Sequence, residues 1–289
     1  MILLAGGTGR LGSVLTARLT RLGLPVRILT RDPARAVGRT GPGVTVVTGD
    51  VRDRASLALA ASGADVVVSA VHGFAGPGGV SPATVDRQGN INLIDAARDA
   101  GAALVLVSVV GAAADSPMEL ARMKHAAEQY LRASGVSWTI VRATAFLELW
   151  IDVLTKTAAR SGRPVVFGHG NNPINFVSVT DVAALVEHAV TEPAARGRVL
   201  EIGGPANLSF NQLAATIQAA SGRTSAPRHV APPILQLMAG TLGRVKPELG
   251  RQARAALIMD RADLTHDATS IRQVYPGLPC TALSMCLQS

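Results

Sequence analysis

Through the first 140 residues, short runs of aliphatic and β-branched side chains alternate with longer segments whose apolar positions recur every three or four residues. Residues 1–5, 25–30, 43–48, 65–71, 103–108 and 137–142 read as strands, and 10–22, 53–61, 84–100 and 117–134 as helices. That alternation predicts βαβ units on a parallel sheet. One helix start is marked by Ser116-Pro117-Met118-Glu119, which offers an N-cap hydroxyl, a proline at the first helical position and the Glu of a capping box. After Ala143 the rhythm loosens into a helix near 145–160, strands at 164–167 and 174–178, a helix at 181–191 and a strand at 198–202. A second capping box, Ser209-Phe210-Asn211-Gln212, opens a helix to about Ala220, and the Pro-rich remainder reads as short helices. With no internal repeat and no long linker, the expectation is one α/β domain with a smaller C-terminal lobe.

Composition narrows the function classes. The 48% hydrophobic fraction of 289 residues can bury a sizeable core, which excludes a disordered chain. A formal charge of +8 raises nucleic acid or an anionic membrane as partner. Yet only Lys124, Lys156 and Lys246 are lysines, the arginines are scattered, and 3% aromatic residues are too few for base-stacking platforms. Nine arginines against Asp32, Asp50 and Asp53 give residues 1–54 a balance of +6, most of the excess. Cys280 and Cys286, the only cysteines, allow neither a disulfide framework nor a metal knuckle, and a reducing, cytoplasmic compartment fits. The start Met1-Ile2-Leu3-Leu4-Ala5 lacks a signal-peptide pattern, and the apolar stretch Ala102–Ala114 falls short of the roughly 18 residues of a membrane span. The expectation is a soluble protein with a small-molecule substrate, neither nucleic acid nor membrane as partner, and monomer or homodimer left open.

The first strand runs directly into Gly6-Gly7-Thr8-Gly9-Arg10-Leu11-Gly12, which opens a helix. Glycines at this spacing allow a tight turn, close approach of a pyrophosphate to the backbone, and an anion facing the free amides of a helix N-terminus. Strand before, helix after and a second strand at 25–30 supply the context of a dinucleotide site. The tip of the second strand then selects the nucleotide, because a carboxylate there binds a ribose 2′-hydroxyl and an arginine a 2′-phosphate. Arg31 stands at that tip, with Arg10 and Arg35 as supports, and favours NADP(H) over NAD(H). Asp32 is the competing acid, although as N-cap ahead of Pro33 it has a role without a ligand. The third strand ends in Gly49-Asp50-Val51, where Asp50 can accept the adenine amino group or cap the helix at 53. The fourth ends in Ser69-Ala70-Val71-His72, small enough at Ala70 for the dinucleotide to cross, before a loop from Gly73 to Gly79 that reads as a mobile lid or an ordinary connection.

These residues resemble the atypical short-chain dehydrogenase/reductase group, in particular its NmrA-like and isoflavone-reductase-like members. The resemblance covers nearly the whole chain: the glycine loop, Thr30-Arg31-Asp32, Gly49-Asp50, Gly89-Asn90-Ile91-Asn92-Leu93-Ile94-Asp95-Ala96-Ala97, Lys124 with Glu128, Thr139-Ile140-Val141-Arg142 and Phe176-Val177-Ser178-Val179-Thr180-Asp181-Val182-Ala183. It implies a Rossmann-type, doubly wound parallel sheet with helices on both faces over 1–143, to which about 174–191 return, and a substrate lobe mainly from 144–289. It also implies NADP(H) as the usual cofactor.

The same resemblance frames the catalytic candidates. Typical short-chain reductases pair a Ser at the fifth strand with a Tyr four residues before a Lys. Ser108 and Lys124 are in register, but the Tyr position is Leu120, and Tyr130 lies about 120° around the helix from Lys124. In isoflavone-reductase-like relatives the Lys acts in catalysis; here Lys124 can do that, bind the nicotinamide ribose, or be a solvated helix residue. His125, about 100° from it, reads as a partner-facing residue. Proton delivery falls to Lys124, Ser108, His72 or water. Topology brings His72, Phe74, Val109, Phe146, Trp150 and His169 forward as substrate contacts, with Phe146 and Trp150 four apart on one helix as an apolar wall. The expected function is an NADP(H)-dependent oxidoreductase passing hydride to or from a small hydrophobic carbonyl, enone, imine or quinone-like substrate. The alternatives are a non-catalytic NADP(H) sensor of the NmrA kind, and a redox-neutral isomerase or cyclase on the same fold.

Overall fold

A computed structural model of the chain describes residues 1–38, 41–76 and 79–288. In chain order the strands are β1 (Ile2–Ala5), β2 (Val26–Thr30), β3 (Val44–Thr48), β4 (Val66–Ser69), β5 (Ala103–Val109), β6 (Trp138–Ala143), β7 (Ala145–Phe146), β8 (Val165–Phe167), β9 (Ile174–Val177), β10 (Arg198–Ile202), β11 (Asn207–Leu208) and β12 (Arg228–Val230). The α-helices are α1 (Arg10–Arg21), α2 (Arg54–Ala61), α3 (Asn90–Asp99), α4 (Glu119–Ala133), α5 (Leu147–Ser161), α6 (Val179–Thr191), α7 (Phe210–Ala220), α8 (Pro232–Gly240), α9 (Leu242–Val245), α10 (Pro247–Met259), α11 (Thr269–Val274) and α12 (Leu283–Cys286). They form two compact units, Met1–Ala143 with Val179–Ile202, and Thr144–Ser178 with Gly203–Ser289.

The first unit is a parallel seven-stranded sheet in the order β10-β6-β5-β4-β1-β2-β3. Its strand order reverses between β1 and β4, the switch point beside which open α/β sheets bind ligands. Strands covered on both faces must be apolar throughout rather than alternating. β1 and β4 are accordingly buried at every position, and Leu3, Leu4, Val67 and Val68 are fully enclosed. One side of the sheet packs Leu57, Leu93, Ile94, Ala127 and Leu131 from α2, α3 and α4. α1 and α6 pack on each other, presenting Leu15, Leu19, Leu185 and Val186 as fully buried side chains. The architecture is the Rossmann-like α/β fold. No helix among the described residues is long and apolar enough to cross a membrane.

Four local expectations need correction. The helix anticipated from Ser116 begins at Glu119, with Met118 as an uncapped N-terminus. Ser116 Oγ instead accepts from Met118 N at 3.3 Å, and Arg122 ties the Ser116 and Pro117 carbonyls, so this stretch is a turn ahead of the helix. The single helix read at 84–100 is a wide, π-type segment, Pro82–Gly89, continued by α3. Ser81 and Thr84 form its capping box, which fixes the start two residues early. The returning segment is Val179–Ile202 rather than about 174–191, because β9 pairs with β7 and β11 in the second unit while β10 extends the main sheet beside β6. The fourth strand stops at Ser69, and Ala70 to His72 follow it outside any strand or helix.

The second unit contains the β11-β9-β7 sheet, the β12-β8 pair and helices α5 and α7 to α12. Three of its short strands, β7 and β11 of two residues and β12 of three, leave no periodic trace in the sequence. The Ser209 and Gln212 capping box forms reciprocally at the start of α7, at 2.8 and 3.2 Å.

Candidate functional site

β1 delivers the chain to the glycine loop at the reversal point of the sheet. Gly6 has φ +91°, and a Cβ there would lie 2.5 Å from Ala70 O. A Cβ on Gly12 would lie 2.2 Å from Gly6 O and 2.5 Å from Gly7 Cα, so α1 is pressed onto the loop with no space for a side chain. Gly9 N donates to Gly6 O at 2.9 Å, and Gly9 begins α1 without a side-chain cap and with no acidic residue in the first turn. The positive end of the helix dipole is thus aimed out of a backbone cradle that has no carboxylate of its own, which fits a pyrophosphate. Thr8 is half-buried and Arg10 exposed in this cradle; Leu11 is buried in the core and offers only its backbone.

At the tips of β2 and β3, Arg31 and Arg35 are exposed. Asp32 Oδ1 accepts from Ala34 N at 3.0 Å as the cap of a 3-10 turn, Pro33–Ala36, which is its role without a ligand. Asp53, not Asp50, caps α2, accepting from Ala55 N at 3.1 Å. Asp50 is clasped by Arg52, which donates from Nη2 at 2.6 Å, from Nε at 3.1 Å and from its backbone N at 2.9 Å. These hydrogen bonds hold the Asp50 carboxyl below its ordinary value, and the charge of Arg31 adds to the effect. Val51 is buried, its carbonyl accepting from Asn92 Nδ2 at 2.8 Å. Arg52 is absent from the sequence-derived candidates, although a base two residues after a strand-end acid was a visible signal.

The tips of β4 and β5 converge on Lys124 of α4. Its Nζ donates to Val71 O and Val107 O, both at 2.9 Å, and pairs with Asp86 Oδ1 at 3.2 Å. The Lys124 and Asp86 side chains are 4% and 0% exposed. Asp86 Oδ2 also accepts from Gly73 N at 2.8 Å, and a Cβ on Gly73 would lie 2.3 Å from Ser81 O. Asn90 Nδ2 donates to Asp86 O at 2.7 Å while its Oδ1 accepts from Ser69 Oγ. Asp86 and Asn90 belong to this candidate site by their contacts, and the sequence reading did not single them out. Their signal was two polar residues four apart, Asp86 in the π-type segment and Asn90 at the start of α3.

Between Val71 and Gly73 stands His72. Its ring keeps solvent access yet is crowded by protein, and that burial lowers its pKa; Asp86 opposes the shift and Lys124 adds to it. Phe74 is half-buried beyond it, and Pro77 and Gly78 of the proposed lid lie outside the described residues.

Ser108 is 2% exposed and donates to Glu128 Oε1. Arg142 completes the network, donating to Glu128 Oε2 at 2.6 Å and to Glu201 Oε1 at 3.0 Å. Tyr130 donates to Asp95 Oδ1 at 2.8 Å, away from Lys124. His125 Nε2 lies 3.5 Å from Gln129 Nε2 on α4, and Val109 ends β5 half-buried. The first unit therefore gathers the glycine loop, Ala70, Val71, His72 and Lys124 at one sheet edge, with Arg31 and Asp50 along it.

Phe146, Trp150 and His169 belong to the second unit. Trp150 packs edge-on against Phe210, ring centroids 4.5 Å apart, and Phe176 joins at 5.6 Å. Phe146 precedes α5, half-buried. His169 Nδ1 is 2.7 Å from Asp260 Oδ2, a nearly buried carboxylate that also accepts the His169 and Gly170 amides. That imidazole is therefore anchored rather than freely solvated.

Comparison with known proteins agrees with this geometry. The profile of an NAD(P)H-binding family matches residues 6–193. An NAD(P)H azoreductase of Xenophilus azovorans is 31% identical over 250 residues, covering 86% of this chain and 82% of that protein. A (4-alkanoyl-5-oxo-2,5-dihydrofuran-3-yl)methyl phosphate reductase of Streptomyces griseus is 32% identical over 226 residues, covering 77% and 74%. Among solved structures, an NADPH-dependent quinone oxidoreductase of Escherichia coli complexed with NADPH superposes with a TM-score of 0.80 at 24% identity, covering 100% of this chain and 99% of that one, and so shares the fold. On the profile match, the relatives' identity and the glycine cradle, the chain belongs to the NAD(P)H-binding family.

Proposed function

We propose that the protein is an NADP(H)-dependent oxidoreductase that moves hydride to or from a small hydrophobic carbonyl, enone, imine or quinone-like substrate. The observation that carries it is the carboxylate-free glycine cradle continuing into a strand tip where Arg31 is exposed and Asp32 is used as a cap. The two relatives named above, an NAD(P)H azoreductase and a (4-alkanoyl-5-oxo-2,5-dihydrofuran-3-yl)methyl phosphate reductase, support the chemistry. Gly6 to Gly12 would hold the pyrophosphate on the α1 amides, Arg31 with Arg10 and Arg35 the 2′-phosphate, and the backbone at Asp50 and Val51 the adenine edge, the Asp50 carboxylate being filled by Arg52. When bound, the reduced nicotinamide supplies the hydride.

The chain's own groups divide into positioning and proton-handling residues. The Lys124 ammonium donates to Val71 O and Val107 O and is paired in charge with the buried Asp86 carboxylate at 3.2 Å, so Lys124 fixes the floor formed by Ala70 and Val71 rather than passing a proton. Ser108 is held inside by Glu128. His72 is left as the proton-transfer group at this edge, a neutral imidazole at neutral pH that can relay a proton between solvent and the substrate atom made basic by reduction. Consumption of NADPH against a panel of quinones, azo compounds, enones and carbonyls tests the reading, with NADH in parallel.

One observation favours a second reading, an NADP(H) sensor without turnover. Leu120 stands where a typical reductase has Tyr, and Ser108 and Lys124 are both engaged internally. Tight NADPH binding with no oxidation against any acceptor of the panel would select the sensor.

A further inference from the structure

Three carboxylates stand along the tips of β2 and β3, and each is used by the protein itself. Asp32 caps the turn after β2, and Asp53 caps α2. Asp50 is different, because its partner is a side chain rather than a helix end. Arg52 grips it through two side-chain nitrogens and adds its backbone N–H, so both carboxylate oxygens are filled. This pair is 35% and 24% exposed, a setting in which an ion pair contributes little to folding. No hydrogen bond or ion pair ties Arg31 to a described residue, yet its charge is felt at Asp50.

We propose that Arg52 is a specificity-determining residue that favours the 2′-phosphate of NADP(H) by sequestering Asp50, leaving Arg31 free to bind that phosphate. The inference rests on the NADP(H) reading above and deepens it. A lone carboxylate beside Arg31 would compete for the guanidinium and repel a phosphate that carries nearly two negative charges. Closed into an ion pair with Arg52, it presents a dipole whose field fades faster with distance than that of a net charge. Arg52 therefore acts through Asp50, and the two side chains together decide how much of the arginine charge on this edge the ligand meets.

The test is isothermal titration calorimetry of the full-length protein with NADPH and with NADH, for the natural chain, Arg52→Ala, Asp50→Asn and the double variant. Both side chains are partly exposed, so the variants are expected to fold, and circular dichroism checks this. Arg52→Ala is expected to weaken NADPH about tenfold and NADH less than about threefold, the size of one charge-assisted contact. Adding Asp50→Asn is expected to bring NADPH back to within about threefold of the natural chain. Two results overturn the proposal: equal weakening of both cofactors in Arg52→Ala, or a double variant as weak for NADPH as Arg52→Ala, which would mean that Arg52 touches the phosphate directly. A natural chain that binds NADH as tightly as NADPH would instead remove the NADP(H) reading itself, and the proposal with it.

Discussion

Two ion pairs flank the dinucleotide edge of the first unit, built from the same chemistry at opposite depths. Lys124 and Asp86 are 4% and 0% exposed, with Lys124 Nζ donating to two backbone carbonyls at the β4 and β5 tips and facing Asp86 Oδ1 at 3.2 Å, and Asp86 Oδ2 accepting from Gly73 N. Arg52 and Asp50 are 35% and 24% exposed and engage mainly each other. Desolvating two charges costs several kcal/mol per ion unless geometry and extra hydrogen bonds compensate, so the deep pair leans on the two backbone carbonyls and the Gly73 amide around it. An exposed pair gains little and costs little, and is free to serve a ligand. Burial thus decides what a pair is for: the deep one fixes backbone, and the shallow one shapes charge.

The comparison breaks most sharply at Lys124. Replacing it by Met leaves Asp86 buried without its cation and is expected to cost about 3–5 kcal/mol. In a chain of this size that lowers the Tm by roughly 10 °C, measurable by thermal unfolding. Adding Asp86→Asn to Lys124→Met is expected to return part of the loss, because the uncompensated charge is gone. A Lys124→Met protein of unchanged stability and cofactor affinity but without turnover would make Lys124 catalytic and end its assignment to positioning. Next in size, Gly12→Ala places a methyl group where backbone atoms lie 2.2 and 2.5 Å away. Such overpacking costs about 1–3 kcal/mol and pushes α1 off the loop, so NADPH affinity should fall with stability in the same titration.

The two regions also differed in how far the sequence revealed them. The glycine turn and the strands of the main sheet were legible because each leaves a local signature: β1 and β4 are buried on both faces and therefore uninterrupted in their apolar runs. Asp32 was readable as a cap from Pro33 alone. The Lys124 and Asp86 pair was not legible, since its residues are 38 positions apart and meet only when α4 and the π-type segment pack against each other. Ser108 shows the same limit in reverse: its register made it a candidate for proton delivery, but its hydroxyl donates to Glu128, one helix later. The Ser116 box had the right residues and failed because Arg122 drew the preceding carbonyls into a turn.

At the shallow region the expected effects are smaller and fall on ligand rather than fold. Arg31→Ala removes the exposed guanidinium without opening a cavity, and is expected to raise the NADPH dissociation constant about tenfold or somewhat more while leaving NADH within about threefold. Thermal unfolding of the free protein should be unchanged within about 0.5 kcal/mol, as for surface substitutions generally. Equal loss for both cofactors would place Arg31 on the adenosine common to both rather than on the 2′-phosphate.

The smallest effect separates the regions by pH. His72, on the deep side, has its pKa lowered from 6.5, chiefly by burial. The unfolded chain then takes up a proton that the folded chain resists, so stability is full above about pH 6.5 and declines as pH falls from there toward the folded pKa. Asp50, on the shallow side, is lowered from 3.8 by Arg52, so its contribution is present above that value and is lost as pH falls through the folded pKa. Acidification should therefore weaken the protein first through His72 and only later through Asp50. Both groups keep solvent access, which limits each step to a few tenths of a kcal/mol. Urea unfolding at closely spaced pH values should show His72→Gln flattening the upper step and Asp50→Asn the lower one. If His72→Gln left the upper step intact, the imidazole would not be crowded in the folded state, and its selection as the proton-handling group at this edge would lose its electrostatic basis.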